Sequence, residues 1–140
     1  MLILGIDPGA NTGVATFVGG ALVELETIEP HRIAALILSR RPGRVIYEDS
    51  RIESFAWTTV KRQAAALKMA RNIGKIDAWC KLICGVCGDL GVPVHGISPK
   101  TKGAKVNAED FAKLTGWSGL SNEHTRDAAV VAWPYRRAGA

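Results

Sequence analysis

Long apolar runs are missing from this sequence of 140 residues, and none approaches the roughly 18 residues that a membrane-spanning helix needs. The opening MLILGIDPGANTG is apolar but has neither a basic start nor a small-residue cleavage site, so it does not read as a secretory signal. Cysteine is scarce and odd in number, three in all, which speaks against a secreted disulfide framework. Repeats, low-complexity tracts and linker-like stretches rich in Pro, Gly or Ser are absent, which leaves a single folding unit over residues 1–140 as the expectation. Lys and Arg are absent from the first 31 positions, where four acids stand (Asp7, Glu24, Glu26 and Glu29).

What is present is ordinary for a globular protein: 47% hydrophobic and 22% charged residues, proportions that exclude a disordered chain. At 15.0 kDa such a chain buries roughly two-thirds of its unfolded surface, enough for a core without metal or disulfide staples. Net charge is +5, with residues 32–71 carrying +6 and residues 72–140 carrying +3. A basic balance suits a polyanionic partner, because neutralised phosphates release counterions and drive association. The plainer alternative is a basic soluble protein with no such partner.

Leu2–Ile6 reads as a short strand ending at the turn Asp7-Pro8-Gly9. Gly13–Val18 and Leu22–Thr27 read as two further strands joined by Gly19-Gly20, a hairpin signal. A helix follows from Pro30 with Ile33, Leu36 and Ile37 on one face, and then a buried strand, Val45–Glu48. Residues 49–59 show no period and read as a loop. From about Lys61 to Leu90 apolar residues recur at helical steps, and Gly91 stops the pattern. Val92–Ile97 reads as a strand, residues 98–105 as a basic loop, and Asn107 as the cap of a short helix. A last helix starts near Ser121-Asn122 and stops at Pro134. The predicted class is α/β: a mixed five-stranded sheet, three antiparallel strands and then two more, flanked by helices.

Four polar residues stand where chemistry is expected. Asp7 ends the first strand, where a carboxylate is held rigidly facing open space; the alternative is that it caps the Pro-Gly turn. Glu48 ends an apolar strand and needs a base or a cation as partner. Asp49 points to the opposite face by strand alternation and is assigned to the loop. His124 and Asp127 lie three apart, on one face of a helix whose AAVVAW continuation is nearly all apolar. They are either aimed at a site or are polar residues of an exposed first turn. Glu123 is offset by one and is expected to face solvent.

Together ILGIDPGANTGVA, VIYE and HTRDAAVVAW resemble the RuvC family of Holliday junction resolvases, of ribonuclease H-like fold, with the small size of the compact phage-type branch. The resemblance runs from Leu2 to Trp133 and includes AALKMARNIGKI at residues 65–76, similar to the start of the family's central helix. It implies that Asp7, Glu48, His124 and Asp127 are the catalytic, metal-binding residues of an endonuclease that resolves branched DNA by paired symmetric nicks. It further implies a homodimer acting on four-way junctions in a bacterial or phage-infected cytoplasm, with no membrane and no nucleotide cofactor. The chemistry agrees with this reading. In-line hydrolysis of a phosphodiester requires charge stabilisation on the attacking and leaving oxygens, which two Mg²⁺ ions about 4 Å apart supply, and hard cations take oxygen ligands. Asp7 would bridge the ions, Glu48 would complete one, and Asp127 with His124 the other, with Mn²⁺ able to substitute.

Phe55 and Trp57, flanked by Arg51, Lys61 and Arg62, suit stacking on unpaired bases and contact with DNA; the alternative places both rings in the core. The resemblance makes an aromatic after the catalytic glutamate a junction wedge, Phe55 first. Lys100, Lys102 and Lys105 are expected to reach phosphates, and one of them near the metals would stabilise transition-state charge. Cys80, Cys84 and Cys87 share one helical face, which cannot wrap a tetrahedral zinc ion. They are expected in buried packing, with the cysteine and isoleucine face as a candidate dimer seam. Three alternative functions stand beside the resolvase. A broader branch or flap nuclease would use the same chemistry. A catalytically silent junction-binding module is disfavoured by the intact carboxylate set, whose mutual repulsion would then serve nothing. A sugar-kinase or actin-like ATPase, which GIDPGANTG also resembles, needs two such domains and far more than 140 residues.

Overall fold

The structure, a computed structural model, describes residues 1–52 and 63–137. Its frame is one five-stranded sheet in the order β3-β2-β1-β4-β5. The strands are β1 (Leu2–Asp7), β2 (Thr12–Val18), β3 (Ala21–Ile28), β4 (Arg44–Glu48) and β5 (Val94–Ile97). Strands β1 to β3 form an antiparallel meander, whereas β4 joins β1 and β5 joins β4 in parallel. The Gly19-Gly20 hairpin turn has both glycines at positive φ, the conformation that a tight turn of this kind demands. The mixed α/β sheet read from the sequence is the observed one, with β5 starting two residues later than expected.

The described residues form five α-helices: α1 (Ile33–Arg40), α2 (Gln63–Leu90), α3 (Pro99–Lys102), α4 (Ala108–Thr115) and α5 (Glu123–Ala132). Pro30–Arg32 is a separate 3₁₀ turn, so the helix expected from Pro30 begins at Ile33. The segment expected to be a plain basic loop contains α3. Ser98 caps that turn by accepting a hydrogen bond from the Lys100 amide, Pro99 opens it, and Gly103 at φ +89° ends it.

Strand alternation divides the core in two. On one face Leu4, Ile6, Val14, Val45 and Tyr47 pack against Ile33 and Ile37 of α1 and against Cys80, Ile83 and Cys87 of α2. The cysteine face of α2 is therefore spent on the protein's own core, a correction to its expected place at a dimer seam. Burial pushes the Cys80 and Cys87 thiols up to about 11, as inert packing residues require. The other half of α2, residues 63–75, contains no buried residue.

On the second face Ile3, Ala15, Phe17 and Ile46 pack against Phe111 of α4 and Ala128, Ala129 and Ala132 of α5. Helix α5 approaches so closely that only glycine fits beneath it. A Cβ at Gly13 would collide with the His124 carbonyl oxygen, and one at Gly5 with the Ala128 carbonyl oxygen. The small residues of AAVVA permit this approach, and the approach sets the height of Asp127 above the sheet. Among the described residues no helix is long and apolar enough to cross a membrane.

Candidate metal centre

Asp7 closes β1, and the turn that follows is held by Thr12 rather than by Asp7. The buried Thr12 hydroxyl donates to the Gly9 carbonyl at 2.7 Å and faces the Gly9 amide at 3.4 Å. That leaves the Asp7 carboxylate free to face the cleft. The parallel register sets Ile6 beside Tyr47, so Asp7 and Glu48 emerge side by side at the carboxyl ends of the two central strands. Both sit on the face that α5 covers, since Ile46 and Ile3 belong to that face. Asn122 caps α5 through a reciprocal capping box with Thr125, and its amide donates to the Thr27 hydroxyl at 2.9 Å. The helix start is thereby tied to β3, and Asp127 enters from above. One oxygen each of Asp7, Glu48 and Asp127 lies within 4.8 Å of the others.

Three carboxylates this close in a partly buried cleft resist ionisation together. Burial first, and then the charges of Glu48 and Asp127, push Asp7 up from 3.8 to about 8, with Lys102 opposing the rise. The Lys102 ammonium sits inside the cluster, 3.2 Å from Asp127 Oδ1 and 3.3 Å from Glu48 Oε2, with its side chain only 6% exposed. Lys105 reaches Asp127 Oδ2 at 3.4 Å from the outside, where its side chain is 66% exposed, and the Asp127 charge raises its affinity for its proton. The donor set is all oxygen, compact and already answered by a cation. It fits hard divalent ions such as Mg²⁺ or Mn²⁺ and does not suit zinc.

His124 stands at the rim. Its Nδ1 is 3.8 Å from Asp7 Oδ2 and its Nε2 is 3.5 Å from Glu123 Oε1. The structure thus brings together three of the four expected ligands and sets His124 beside them, outside the close cluster. Asp49 lies on the α2 face, as alternation requires, and is buried in a network of its own. It accepts hydrogen bonds from the Tyr47 hydroxyl at 3.0 Å, the Arg51 backbone amide at 3.0 Å and Arg51 Nε at 2.9 Å. Those bonds to Arg51, above all from its side chain, hold the Asp49 carboxyl below the usual carboxylate range. Arg51, expected at DNA, directs its guanidinium inward to Asp49 and Tyr47. Phe55, Trp57, Lys61 and Arg62 lie outside the described residues. Lys100 is exposed on α3.

The carboxylates line a cleft of about 380 Å³ whose walls include Gly9, Ile76, Lys105 and His124. Beside it, sharing Ala10 and Ile76, a second depression leads along α2 past Asn72 and Lys75. Lys68, Arg71 and Lys75 continue that line, three and four positions apart and so on one helical face. Sequence reasoning passed over this basic row. Its signal was the 3–4 spacing of the bases within a helix otherwise read for its apolar face.

Two solved structures of RuvC from Thermus thermophilus share this fold. One, in complex with a Holliday junction substrate, matches over 99% of this chain and 96% of that chain, with a TM-score of 0.67 and 18% identity. The other matches over 95% of this chain and 92% of that chain, with a TM-score of 0.64 and 17% identity. No family model matches the chain, and no curated protein matches it. The RuvC-like, ribonuclease H-like fold implied by ILGIDPGANTGVA, VIYE and HTRDAAVVAW is thus the observed one.

Proposed function

We propose that this chain is a divalent-metal-dependent endonuclease acting on branched DNA, with the four-way junction as substrate and a homodimer as the working form. The observation that carries the proposal is the meeting of Asp7, Glu48 and Asp127 at the carboxyl ends of β1 and β4 and on α5, with oxygens within 4.8 Å. The shared fold adds support, since one of the two RuvC structures holds a Holliday junction.

Divalent ions held there would neutralise charge on the attacking and leaving oxygens of an in-line displacement. Asp7, whose carboxylate feels the charges of both Glu48 and Asp127, would offer the shared ligand, and those two would complete the site. Burial and the charges of Glu48 and Asp127 favour the protonated form of Asp7, so a divalent ion held there would have to displace that proton. His124 orients toward Asp7 at the rim, within reach as a further ligand. Lys105 extends from the Asp127 side into solvent, where its ammonium can take a phosphate oxygen. The Lys68, Arg71 and Lys75 row gives the backbone of one DNA arm a basic path to the cleft. No side chain acts as a covalent nucleophile in this scheme. A two-fold dimer would supply two such sites for two symmetric nicks.

The test is cleavage of an end-labelled four-way junction beside a linear duplex of the same sequence, with Mg²⁺ and with chelator. Paired nicks confined to the junction and to the Mg²⁺ lanes are expected. Equal cutting of the linear duplex would make the protein a general nuclease. Tight junction binding without cutting in any lane would make it a silent binding module.

A further inference from the structure

Lys102 is a cation withdrawn almost wholly from solvent, and its position conflicts with the metal the site is suited to hold. Its Nζ bonds Glu48 Oε2 at 3.3 Å and Asp127 Oδ1 at 3.2 Å, two of the three carboxylates that a metal would need. At 6% exposure the ammonium is removed from water, and a buried charge is tolerated only while it is paired. Lys105 makes the instructive contrast: it meets the same Asp127 but stays 66% exposed, as a surface pair does.

A divalent ion and a lysine ammonium cannot share the same two carboxylate oxygens, because both are compact cations and their repulsion in a cleft of low polarity is strong. We infer that Lys102 is a built-in countercation that holds the cation position of the cluster until a divalent metal displaces it, so that metal loading turns its ammonium out toward the substrate. The inference rests on the metal-centre reading above and adds a moving part to it. Without metal, Lys102 answers the charge of Glu48 and Asp127 from within. With metal, both partners are taken, and nothing described keeps the ammonium buried. The segment that carries it is suited to move: Lys102 ends the single turn of α3, and the next residue is Gly103 at φ +89°, with no heavy atom near its Cβ position. A released ammonium beside Lys105 and His124 stands at the cleft mouth, where a phosphate oxygen would meet it. Metal occupancy and a DNA-facing positive charge then arrive in one event.

The test uses the full chain with Mg²⁺ or Mn²⁺ alone and no DNA. Unmodified protein is acetylated briefly with an amine-selective reagent and the modification is read residue by residue by mass spectrometry. Lys102 should be strongly protected relative to Lys105 in chelator, and should approach the reactivity of Lys105 when metal saturates the site. Protection that is equal with and without metal would overturn the inference. A second measurement uses Lys102→Met, which removes the competing ammonium and keeps the stem. Its Mn²⁺ affinity, followed by calorimetry, should rise by about tenfold or more over the unmodified protein. Unchanged or weaker affinity would overturn the inference while leaving the metal centre standing. Failure of both proteins to bind Mn²⁺ would overturn the metal-centre reading and this inference with it.

Discussion

Replacing Asp7 by asparagine removes the one charge that burial and two neighbouring carboxylates resist most, and in metal-free protein this should raise stability. The sign follows from the direction of the shift. Asp7 releases its proton near 3.8 in the unfolded chain and near 8 in the folded one. Between those values the native state holds a proton that the unfolded state has given up, so stability falls as pH rises through that window and levels off above it. Each pH unit inside the window corresponds to about 1.4 kcal/mol, so the unmodified protein should lose up to about 4 kcal/mol between pH 5 and pH 8. For a domain of this size about 1 kcal/mol moves the melting temperature by about 3–4 °C, so the melting advantage of the variant should widen by about 12–16 °C between pH 5 and pH 8. The assay is thermal unfolding of both proteins in chelator at pH 5, 6.5 and 8. Saturating Mg²⁺ should then stabilise the unmodified protein at pH 8 and leave Asp7→Asn unmoved. A melting difference that is the same at every pH, or a variant less stable at pH 8, would refute the electrostatic account of the cluster.

Gly13→Ala should push α5 off the sheet through the His124 carbonyl, cost about 1–3 kcal/mol in denaturant unfolding, and weaken Mn²⁺ binding by moving Asp127. Arg51→Ala should lower stability by about 1–3 kcal/mol by leaving the buried Asp49 carboxylate short of donors, with no change in the salt dependence of DNA binding; a reduced salt slope would return Arg51 to the DNA surface. Alanine at Lys68, Arg71 and Lys75 together should lower the salt slope of junction binding by up to about three, with affinity falling alike across DNA sequences. His124→Asp should retain Mg²⁺-supported cleavage in single-turnover assays, because an oxygen ligand beside Asp7 suits Mg²⁺, and loss of cleavage would give the imidazole itself a role.

The features legible in the sequence were those set by local pattern. Asp7 and Glu48 ended apolar runs, and strand alternation separated Glu48 from Asp49, which the structure places on opposite faces. HxxD spacing put Asp127 at the site, and small residues after it anticipated the close seating of α5 over Gly5 and Gly13. Lys102 was read as one of three loop lysines that reach phosphates, with one of them near the metals, but not singled out as the buried one. Its burial depends on a one-turn helix that aims it at residues 54 and 25 positions away, a tertiary fact with no local period. Arg51 was read by charge and by its aromatic neighbours, whereas its partner Asp49 is two residues back and becomes visible only once Tyr47 and Asp49 share a face. The apolar period of α2 ran on past Ile76 toward its start, yet only Cys80, Ile83 and Cys87 are fully buried, since burial is set by what packs opposite each turn and not by the period of the helix itself.

Whether Asp7, Glu48 and Asp127 form a divalent-metal centre is answered by anomalous scattering from crystals soaked in Mn²⁺. Anomalous peaks are expected within ligand distance, about 2.0–2.3 Å, of oxygens from all three carboxylates, with the Lys102 side chain displaced from Glu48 and Asp127. Saturating Mn²⁺ with no peak at the cluster, or with peaks only at surface histidines and acids elsewhere, would contradict it.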